Sequence, residues 1–171
     1  TTGVALAYLG NRVTCLDVDE SKVEALRRGK APIFEPHLED LMALAKADLL
    51  FTCDYAQAIP GADIVFIAVG TPSGVGGNPD LRYLQAAAHD VGRHLGKGFT
   101  VVINKSTVPI GSGSWVESLV AEACAKQQGG STNGRFAVAS NPEFLREGSG
   151  LHDTLYPDRI VVGSDSGRAL E

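Results

Sequence analysis

Short apolar runs that do not alternate with polar residues constrain the fold of this 171-residue chain more than any other feature. Strands covered on both faces are apolar throughout, which is typical of parallel sheets. Parallel strands need crossover connections, and stretches of helical character separate these runs. The pattern predicts an α/β fold with a doubly wound, mainly parallel, Rossmann-like sheet. The expected strands lie at residues 12–18, 49–52, 63–69, 100–104, 136–139 and 159–163.

The stretches between these runs carry signals of helix starts and ends. Asp19 is a candidate cap of the first crossover helix, and Gly29 is its candidate left-handed stop. Pro36 stands where the first turn of the next helix accepts a proline. Apolar residues recur at helical spacing in the longer stretches that follow. We therefore expect helices at residues 1–9, 19–29, 35–46, 80–95 and 112–128.

Asp17 closes the first apolar run and is followed at once by a helix. In dinucleotide-binding folds a carboxylate at this position accepts hydrogen bonds from the ribose of NAD, about 20 residues after the first glycine of the phosphate fingerprint. That spacing places the glycine before Thr1, and residues 1–9 form a helix without the strand that precedes it in a βαβ unit. We therefore expect a sheet that is missing its first strand and glycine loop. The alternative is that Asp17 only caps the helix.

Charge and hydropathy restrict the partners of the chain. The formal net charge is -5 and no basic block is longer than Arg27–Arg28, which argues against nucleic acid and membrane surfaces as partners. The longest apolar run, Ile64–Val69, is too short to span a bilayer, and the N-terminus lacks a signal-peptide pattern. The expected location is cytoplasmic.

The cysteines and histidines form no pattern of reactive or metal-binding residues. The three cysteines have no C-x-x-C spacing, so we expect reduced core residues. The four histidines show neither an i,i+4 pair nor a cluster with cysteine, so no metal site is expected. These residues are Cys15, Cys53, Cys124, His37, His89, His94 and His152.

Two glycine-rich segments do not fit phosphate-binding loops. Residues 74–79 have Pro79 where the third glycine of a fingerprint belongs, so a mobile surface loop is the better interpretation. Residues 111–116 end in Val116, and no acidic residue follows at the required distance. This second segment fits a helix start, where free N–H groups could still face an anion.

Polar residues follow three successive apolar runs. Thr71 follows one run, Ser106 and Thr107 follow the next, and Glu143 and Glu147 follow the third. Ligands bind outside the carboxyl ends of strands in open α/β sheets, so the segments together predict one site, although each alone could be a plain turn. The two glutamates share a face if the first opens a helical turn, and they could then divide acid, base and binding roles. A solvated helix face is the alternative.

Four segments carry a resemblance to a known family, and together they extend it over nearly the whole chain. They resemble the nucleotide-sugar 6-dehydrogenases of the UDP-glucose/GDP-mannose dehydrogenase family. Members that act on GDP-mannose or N-acetylated UDP-sugars differ in two of the segments, which favours the UDP-glucose members. The segments are Gly70-Thr-Pro72, Lys105-Ser-Thr-Val-Pro-Ile-Gly111, Asn141-Pro-Glu-Phe-Leu-Arg-Glu-Gly148 and Tyr156-Pro-Asp-Arg-Ile-Val-Val-Gly163.

The resemblance implies a four-electron oxidation of UDP-glucose to UDP-glucuronate, with two NAD+ used in turn and a thioester on a cysteine. It implies that Asp17 and Lys22 lie at the adenosine ribose. Thr107 would position a catalytic water or substrate hydroxyl, and Glu143 would be the general base of thioester hydrolysis. The implied NAD contacts are Gly70, Thr71, Pro72, Ser106, Thr107 and Glu147, the substrate contacts are Glu143, Phe144, Leu145, Arg146 and Glu147, and the catalytic set is Thr107, Glu143 and Glu147.

The chain also departs from the family pattern. The glycine fingerprint is absent, and none of the three cysteines has the glycine-rich context of the nucleophile. Residues 1–171 are therefore expected to be part of an NAD-binding domain, without the central helix and the UDP-binding domain, and inactive alone. The whole enzyme would be a homodimer or higher homo-oligomer acting on a UDP-sugar.

Three other functions stay open from the sequence. The chain could belong to a dehydrogenase of another nucleotide sugar or to a more distant β-hydroxyacid dehydrogenase. It could also be a non-catalytic nucleotide-binding module. The retained set of Thr107, Glu143 and Glu147 argues against the last, because a binding module needs no base.

Overall fold

The computed structural model describes residues 1–129, 132 and 134–171, and in that part strands and helices alternate along the chain. The predicted α/β class is confirmed. The strands are β1 (Val13–Leu16), β2 (Leu49–Thr52), β3 (Ile64–Ile67), β4 (Thr100–Asn104) and β5 (Phe136–Ser140). The helices are α1 (Thr2–Tyr8), α2 (Glu20–Arg27), α3 (Leu38–Leu44), α4 (Tyr55–Ala58), α5 (Arg82–His94), α6 (Ser112–Gln128) and α7 (Gly150–Leu155).

The chain divides into two compact units, and each unit has its own parallel sheet. The first unit comprises Thr1–Ala58 and Phe144–Arg159 and pairs β1 with β2. The second comprises Ile59–Glu143 and Ile160–Glu171 and holds β3, β4 and β5 in that order. The strands that were expected in one sheet therefore pair as two. In the doubly wound order 3-2-1-4-5-6 the first strand bonds to both halves, and among the described residues no strand precedes α1.

The first unit contains the helix whose ends the sequence predicted. Asp19 caps α2, because its carboxylate accepts hydrogen bonds from the N–H groups of Ser21 and Lys22 at 3.0 and 3.3 Å. Gly29 has a φ of 77°, and the N–H groups of Gly29 and Lys30 bond back to carbonyls of the last turn. The predicted cap and stop are both confirmed. The apolar cluster of this unit consists of Val4, Val23, Leu38, Met42 and Phe51.

In the second unit α5 packs against α6, and Gly92 allows the two helices to approach closely. A Cβ at Gly92 would lie only 2.4 Å from the carbonyl oxygen of Val120. The structure gives α6 the same bounds, 112–128, that the sequence predicted. The largest fully buried side chains of this unit are Leu84, Val102, Val116, Val120, Asn104 and Cys124.

The prediction of a strand at residues 159–163 is wrong. Only Gly163 pairs, in an isolated antiparallel bridge with Ser140, and Ile160 is 70% exposed. Its neighbours Val161 and Val162 are also exposed. The apolar composition of the segment therefore does not reflect burial on two faces, which was the basis of the prediction.

The predicted start of the second crossover helix is also wrong. Helix α3 begins at Leu38, because His37 has a left-handed φ of 62° and interrupts the helical path. Pro36 lies before the helix and not in its first turn. Helices α4 and α7 were not predicted, since four and six residues are too short to show a helical period.

Residues 74–79 form a tight turn with a single 3-10 turn at Val75–Gly77. Gly76 and Gly77 both have positive φ, and Ser73 bridges to Pro79 across the base of the turn. Such a turn needs glycine for its backbone conformation. The interpretation of this segment as a surface loop fits the structure.

Candidate functional site

The carboxyl ends of β3, β4 and β5 form one edge of the sheet in the second unit. Lys105 donates its N–H to the carbonyl oxygen of Ile67 at 2.9 Å, and Asn141 donates to Asn104 at 2.9 Å. The parallel pairing therefore continues to the strand ends. The three segments with predicted site residues therefore leave the sheet of this unit from one shared edge, and that they form one site stays a prediction.

Two side-chain hydroxyls at this edge tie neighbouring loops together. Thr71 Oγ1 donates to the carbonyl oxygen of Thr107 at 2.9 Å, and Ser106 Oγ donates to that of Val69 at 2.7 Å. Ser106 is buried, whereas Thr107 is exposed. A Cβ on Gly70 would meet no atom within 4 Å, so the backbone there borders open space. The edge therefore presents the Thr107 side chain and bare backbone to solvent.

Pro72, another predicted cofactor contact, is exposed and begins the approach to α5. Its carbonyl oxygen accepts a hydrogen bond from the N–H of Asp80 at 2.8 Å. Asp80 in turn pairs with Arg82 through two short contacts, and the guanidinium lowers the pKa of the Asp80 carboxyl to about 2. This ion pair fixes the exit of the loop.

Glu143 lies in an irregular segment and not at the start of a helix. Residues 141–146 have no regular secondary structure, and α7 begins only at Gly150. Asn141 is bonded to Asn104 and, through its side-chain amide, to the carbonyl oxygen of Val161 at 2.9 Å. Pro142 further disfavours a helical conformation at Asn141. A helical turn opening at Glu143 was the condition under which the two glutamates would share a face, and the structure does not meet it. Glu143 is an exposed carboxylate.

In the first unit, two carboxylates hold Arg146 and the start of α7. Asp153 accepts hydrogen bonds from the backbone N–H, Nε and Nη2 of Arg146 at 3.0, 3.0 and 2.6 Å. Glu35 accepts one from the N–H of Leu151 at 2.9 Å. The Arg146 guanidinium keeps the pKa of the Asp153 carboxyl well below its usual range. Arg146, a predicted substrate contact, thus has its guanidinium engaged within the protein.

The remaining residues of this segment surround that ion pair. The guanidinium of Arg159 lies 5.0 Å from the centre of the Phe144 ring, which is half exposed. Leu145 is partly buried, and its Cβ is close to Gly150. Glu147 is exposed in a turn between the irregular segment and α7. Glu147 therefore presents its carboxylate to solvent.

Asp17 stands at the carboxyl end of β1, as predicted, and does not cap α2. Its Oδ1 accepts a hydrogen bond from the N–H of Asp19 at 3.0 Å, and its Oδ2 lies 3.8 Å from Nζ of Lys22. Since Asp19 is the cap, the alternative role of Asp17 is excluded. The Asp17 side chain is 41% exposed, so a fixed, charged acceptor remains open to a ligand. That Asp17 joins the edge formed by the second unit stays a prediction.

A model of the UDP-glucose/GDP-mannose dehydrogenase family, NAD binding domain, matches residues 1–171. The chain belongs to this family. It is 47% identical over 172 residues to UDP-glucose 6-dehydrogenase TuaD of Bacillus subtilis (strain 168), and the alignment covers 98% of this chain and 35% of TuaD. The UDP-glucose/GDP-mannose dehydrogenase domain described above therefore spans about a third of the length of that relative.

Two solved structures place the fold in the same family. A UDP-glucose dehydrogenase from Pyrobaculum islandicum superposes with a TM-score of 0.87 at 46% identity, covering 98% of this chain and 38% of that one. A GDP-mannose dehydrogenase from Pseudomonas aeruginosa superposes with a TM-score of 0.86 at 30% identity, again covering 98% and 38%. The Rossmann-like assignment is thus confirmed.

The cofactor of a UDP-glucose/GDP-mannose dehydrogenase domain is NAD. Asp17 offers a fixed carboxylate of the kind that accepts hydrogen bonds from the ribose hydroxyls. Gly70 offers backbone that nothing covers. Both properties are observed in the chain itself and do not depend on the family.

The cysteines of the UDP-glucose/GDP-mannose dehydrogenase domain are unpaired. Cys124 is buried, and Cys15 and Cys53 are partly buried. Burial raises the pKa of the Cys15 thiol, which keeps that thiol protonated at neutral pH. Across residues 1–129, 132 and 134–171, no group of three His, Cys, Asp or Glu side chains is arranged to hold a metal ion. Within the same residues, no helix combines the length and the hydropathy needed to cross a membrane.

Asp153 and Glu35 were missed by the sequence analysis, although Asp153 holds the predicted site residue Arg146 and Glu35 holds Leu151 in the helix that follows. Neither follows a predicted strand, and the bond from Leu151 to Glu35 joins residues 116 positions apart. No periodicity or motif spacing indicates such a contact. Only the folded chain of this dehydrogenase domain brings the partners together.

Proposed function

We propose that the protein containing this chain oxidises UDP-glucose to UDP-glucuronate, passing four electrons to two NAD+ by way of a thioester on a cysteine outside these residues. The observation that carries this proposal is a contrast in identity, 47% with a UDP-glucose 6-dehydrogenase against 30% with a GDP-mannose dehydrogenase. Solved structures of a UDP-glucose dehydrogenase and of this GDP-mannose dehydrogenase are almost equally similar to this fold, with TM-scores of 0.87 and 0.86. The sequence, and not the fold, therefore favours UDP-glucose.

In this proposal Asp17 and Lys22 hold the adenosine ribose. The carboxylate of Asp17 accepts hydrogen bonds from the hydroxyls, and Lys22, 3.8 Å away, keeps that carboxylate in position. Gly70, Thr71 and Pro72 line the cofactor at the strand edge. Gly70 has no side chain that would obstruct it there. NAD supplies the hydride acceptor when it is bound.

The exposed groups at the same strand edge would carry out the hydrolytic step. Glu143 accepts the proton of the attacking water, a role that requires an accessible carboxylate. Thr107 holds that water or a substrate hydroxyl through its exposed side chain. Glu147, with Phe144 and Leu145, lies along the substrate, and Glu147 also contacts the cofactor.

We also propose that residues 1–171 are part of an NAD-binding domain of a larger enzyme. The chain covers 35% of TuaD, which leaves room in such a protein for a central helix and a UDP-binding domain. The whole enzyme would act on a UDP-sugar in the cytoplasm as a homodimer or higher homo-oligomer.

The variant Glu143→Gln in the full-length protein tests the role of the base. Gln keeps the size and hydrogen bonding of Glu but cannot accept a proton, so oxidation proceeds while the thioester persists. General-base catalysis contributes about 10²–10⁴-fold, and the steady-state rate should fall by that factor. The expected record is a burst of NADH near one enzyme equivalent or a small multiple, with sugar nucleotide covalently attached to the protein.

Glu24→Gln is the matched control, because Glu24 is an exposed glutamate on α2 with only a surface ion pair to Arg28. It should turn over at the parental rate. A Glu143→Gln enzyme that also turns over at the parental rate, or one that loses burst and steady state together, would show that Glu143 is not the base.

A panel of nucleotide sugars tests the substrate. We expect NADH formation with UDP-glucose and at least a hundredfold lower kcat/KM, on the order of 3 kcal/mol in transition-state binding, with GDP-mannose or UDP-N-acetyl sugars. A preference for GDP-mannose would refute the assignment of UDP-glucose but not the reaction class.

A further inference from the structure

We propose that Thr71 and Ser106 are positioning residues that lock the loop carrying Thr107 onto the loop carrying Gly70, and that neither hydroxyl donates a hydrogen bond to a ligand. This inference rests on the function proposed above, in which Thr107 holds the catalytic water. It gives the two hydroxyls a role different from the direct NAD contact that the family resemblance implies.

The two hydrogen bonds run in opposite directions between the loops. The loop after β3 donates from Thr71 Oγ1 to the carbonyl oxygen of Thr107 at 2.9 Å. The loop after β4 donates from Ser106 Oγ to the carbonyl oxygen of Val69 at 2.7 Å. A hydroxyl has one proton, so each proton is used by the neighbouring loop and none remains for a ligand. We call this pair of bonds the β3–β4 latch.

The β3–β4 latch lies beyond the point where the sheet joins the two loops. The last backbone bond between these strands runs from Lys105 to Ile67, at 2.9 Å. Past that bond, the described residues of the two loops share no further backbone hydrogen bond. Without the latch, no hydrogen bond among the described residues would hold Thr107 in place relative to Gly70. Ordering the two loops would then cost conformational entropy that the latch offsets.

Ser106 is the buried half of the β3–β4 latch. It is 9% exposed, and its own N–H donates to Oδ1 of Asn104 at 3.3 Å. Asn104 is 1% exposed and anchors the loop after β5 through its carbonyl oxygen. The residue whose hydroxyl bonds to Val69 is therefore itself held, through its backbone N–H, at the end of β4.

The variant Thr71→Val in the full-length protein removes the donor and keeps the branched shape of the side chain. We expect kcat with UDP-glucose to fall by about two- to thirteenfold, the range to which the net contribution of one hydrogen bond converts. The Kd of NAD+, measured by calorimetry, should stay within about twofold of the parent, because the lost bond is internal. Thr71→Ser restores the donor and should recover most of kcat.

The matched control is Ser118→Ala, which removes the same type of bond, Ser118 Oγ to the carbonyl oxygen of Ser114 at 2.9 Å, on the surface of α6. It should change neither kcat nor the Kd of NAD+. An equal loss of kcat in this control would mean that the loss of any hydroxyl hydrogen bond disturbs the unit. The effect of Thr71→Val could then not be assigned to the β3–β4 latch.

Hydrogen exchange distinguishes a failure of the latch from a failure of the proposed function, because it requires no turnover. Thr71→Val should speed amide exchange in residues 105–111 severalfold, whereas Thr71→Ser should not. Unchanged exchange, or unchanged kcat, in Thr71→Val overturns the inference, as does a severalfold rise in the Kd of NAD+ with kcat retained. If the parent does not oxidise UDP-glucose but the exchange difference is present, the proposed function fails and the latch stands.

Discussion

Gly92 provides a quantitative test of how α5 and α6 pack. The residue lies inside α5, and an alanine there would bring its Cβ to 2.4 Å from the carbonyl oxygen of Val120 and 2.9 Å from the Cβ of Ala123. Ordinary contacts of this kind lie at 3.4–4 Å. The helices would have to move apart by about 1 Å, and because the interior is close-packed this movement costs free energy.

The expected cost follows from two opposing effects of Gly92→Ala. Overpacking typically costs about 1–3 kcal/mol, and a clash with backbone, which cannot rotate away, lies at the upper end. Alanine has a higher helix propensity than glycine by about 1 kcal/mol, which offsets part of the cost. We expect the free energy of unfolding to fall by about 2 kcal/mol, equivalent to a Tm lower by about 4–8 °C for a chain of this size.

Urea unfolding followed by circular dichroism measures this difference, and Gly113→Ala is the control. Gly113 also lies in a helix, α6, but its added Cβ would be 3.6 Å from Ser140 Oγ, an ordinary contact. That variant should be more stable than the parent by about 0.5 kcal/mol. A Gly92→Ala protein as stable as the parent would mean that the close approach of α5 and α6 does not restrict position 92.

Three further predictions concern single residues of the first unit. Asp17→Ala in the full-length protein should weaken NAD+ binding about 10- to 150-fold with little change in Tm, since a charged hydrogen bond is lost but no packing; equal affinities by calorimetry would remove Asp17 from the site. Gly29→Ala, at a φ of 77°, should lower the free energy of unfolding by about 1 kcal/mol, and an unchanged denaturation midpoint would contradict the left-handed stop. Asp153→Asn should destabilise the protein at pH 7. Because Arg146 lowers the pKa of the Asp153 carboxyl in the folded state, this stabilisation is present above the unfolded pKa of about 4 and is lost as the pH falls through the folded value. The free energies of unfolding of the parent and of Asp153→Asn should therefore begin to converge below about pH 4. A difference that stays constant from pH 7 to 3 would contradict the ion pair.

Local signals in the sequence determined much of the fold. The bounds of β2, β4 and α6 are those expected, and α2 has its predicted cap and stop. The helix features succeed because their hydrogen bonds join residues only two to five positions apart, as between Asp19 and Lys22 or between Ala25 and Lys30. The bounds of the two strands follow from contiguous apolar runs, although the partners of those strands do not. The family resemblance was equally readable, since its motifs are contiguous.

Long-range pairing was decided by the tertiary structure alone. The strands divide between two sheets, and the apolar segment 159–163 stays outside them, because hydrophobicity specifies burial but not a partner. Hydrogen bonds hold Asn141 against Asn104 and Val161, and Glu143 lies in the irregular segment that follows.

The donor roles at the candidate site were likewise fixed by distant contacts. The sequence places Thr71 and Ser106 at strand ends, but their protons are taken by carbonyl oxygens 36 and 37 positions away. Glu35 meets Leu151 across 116 positions. A residue's position after a strand follows from local sequence, whereas the partner of its hydrogen bond depends on which segments the fold brings within about 3 Å.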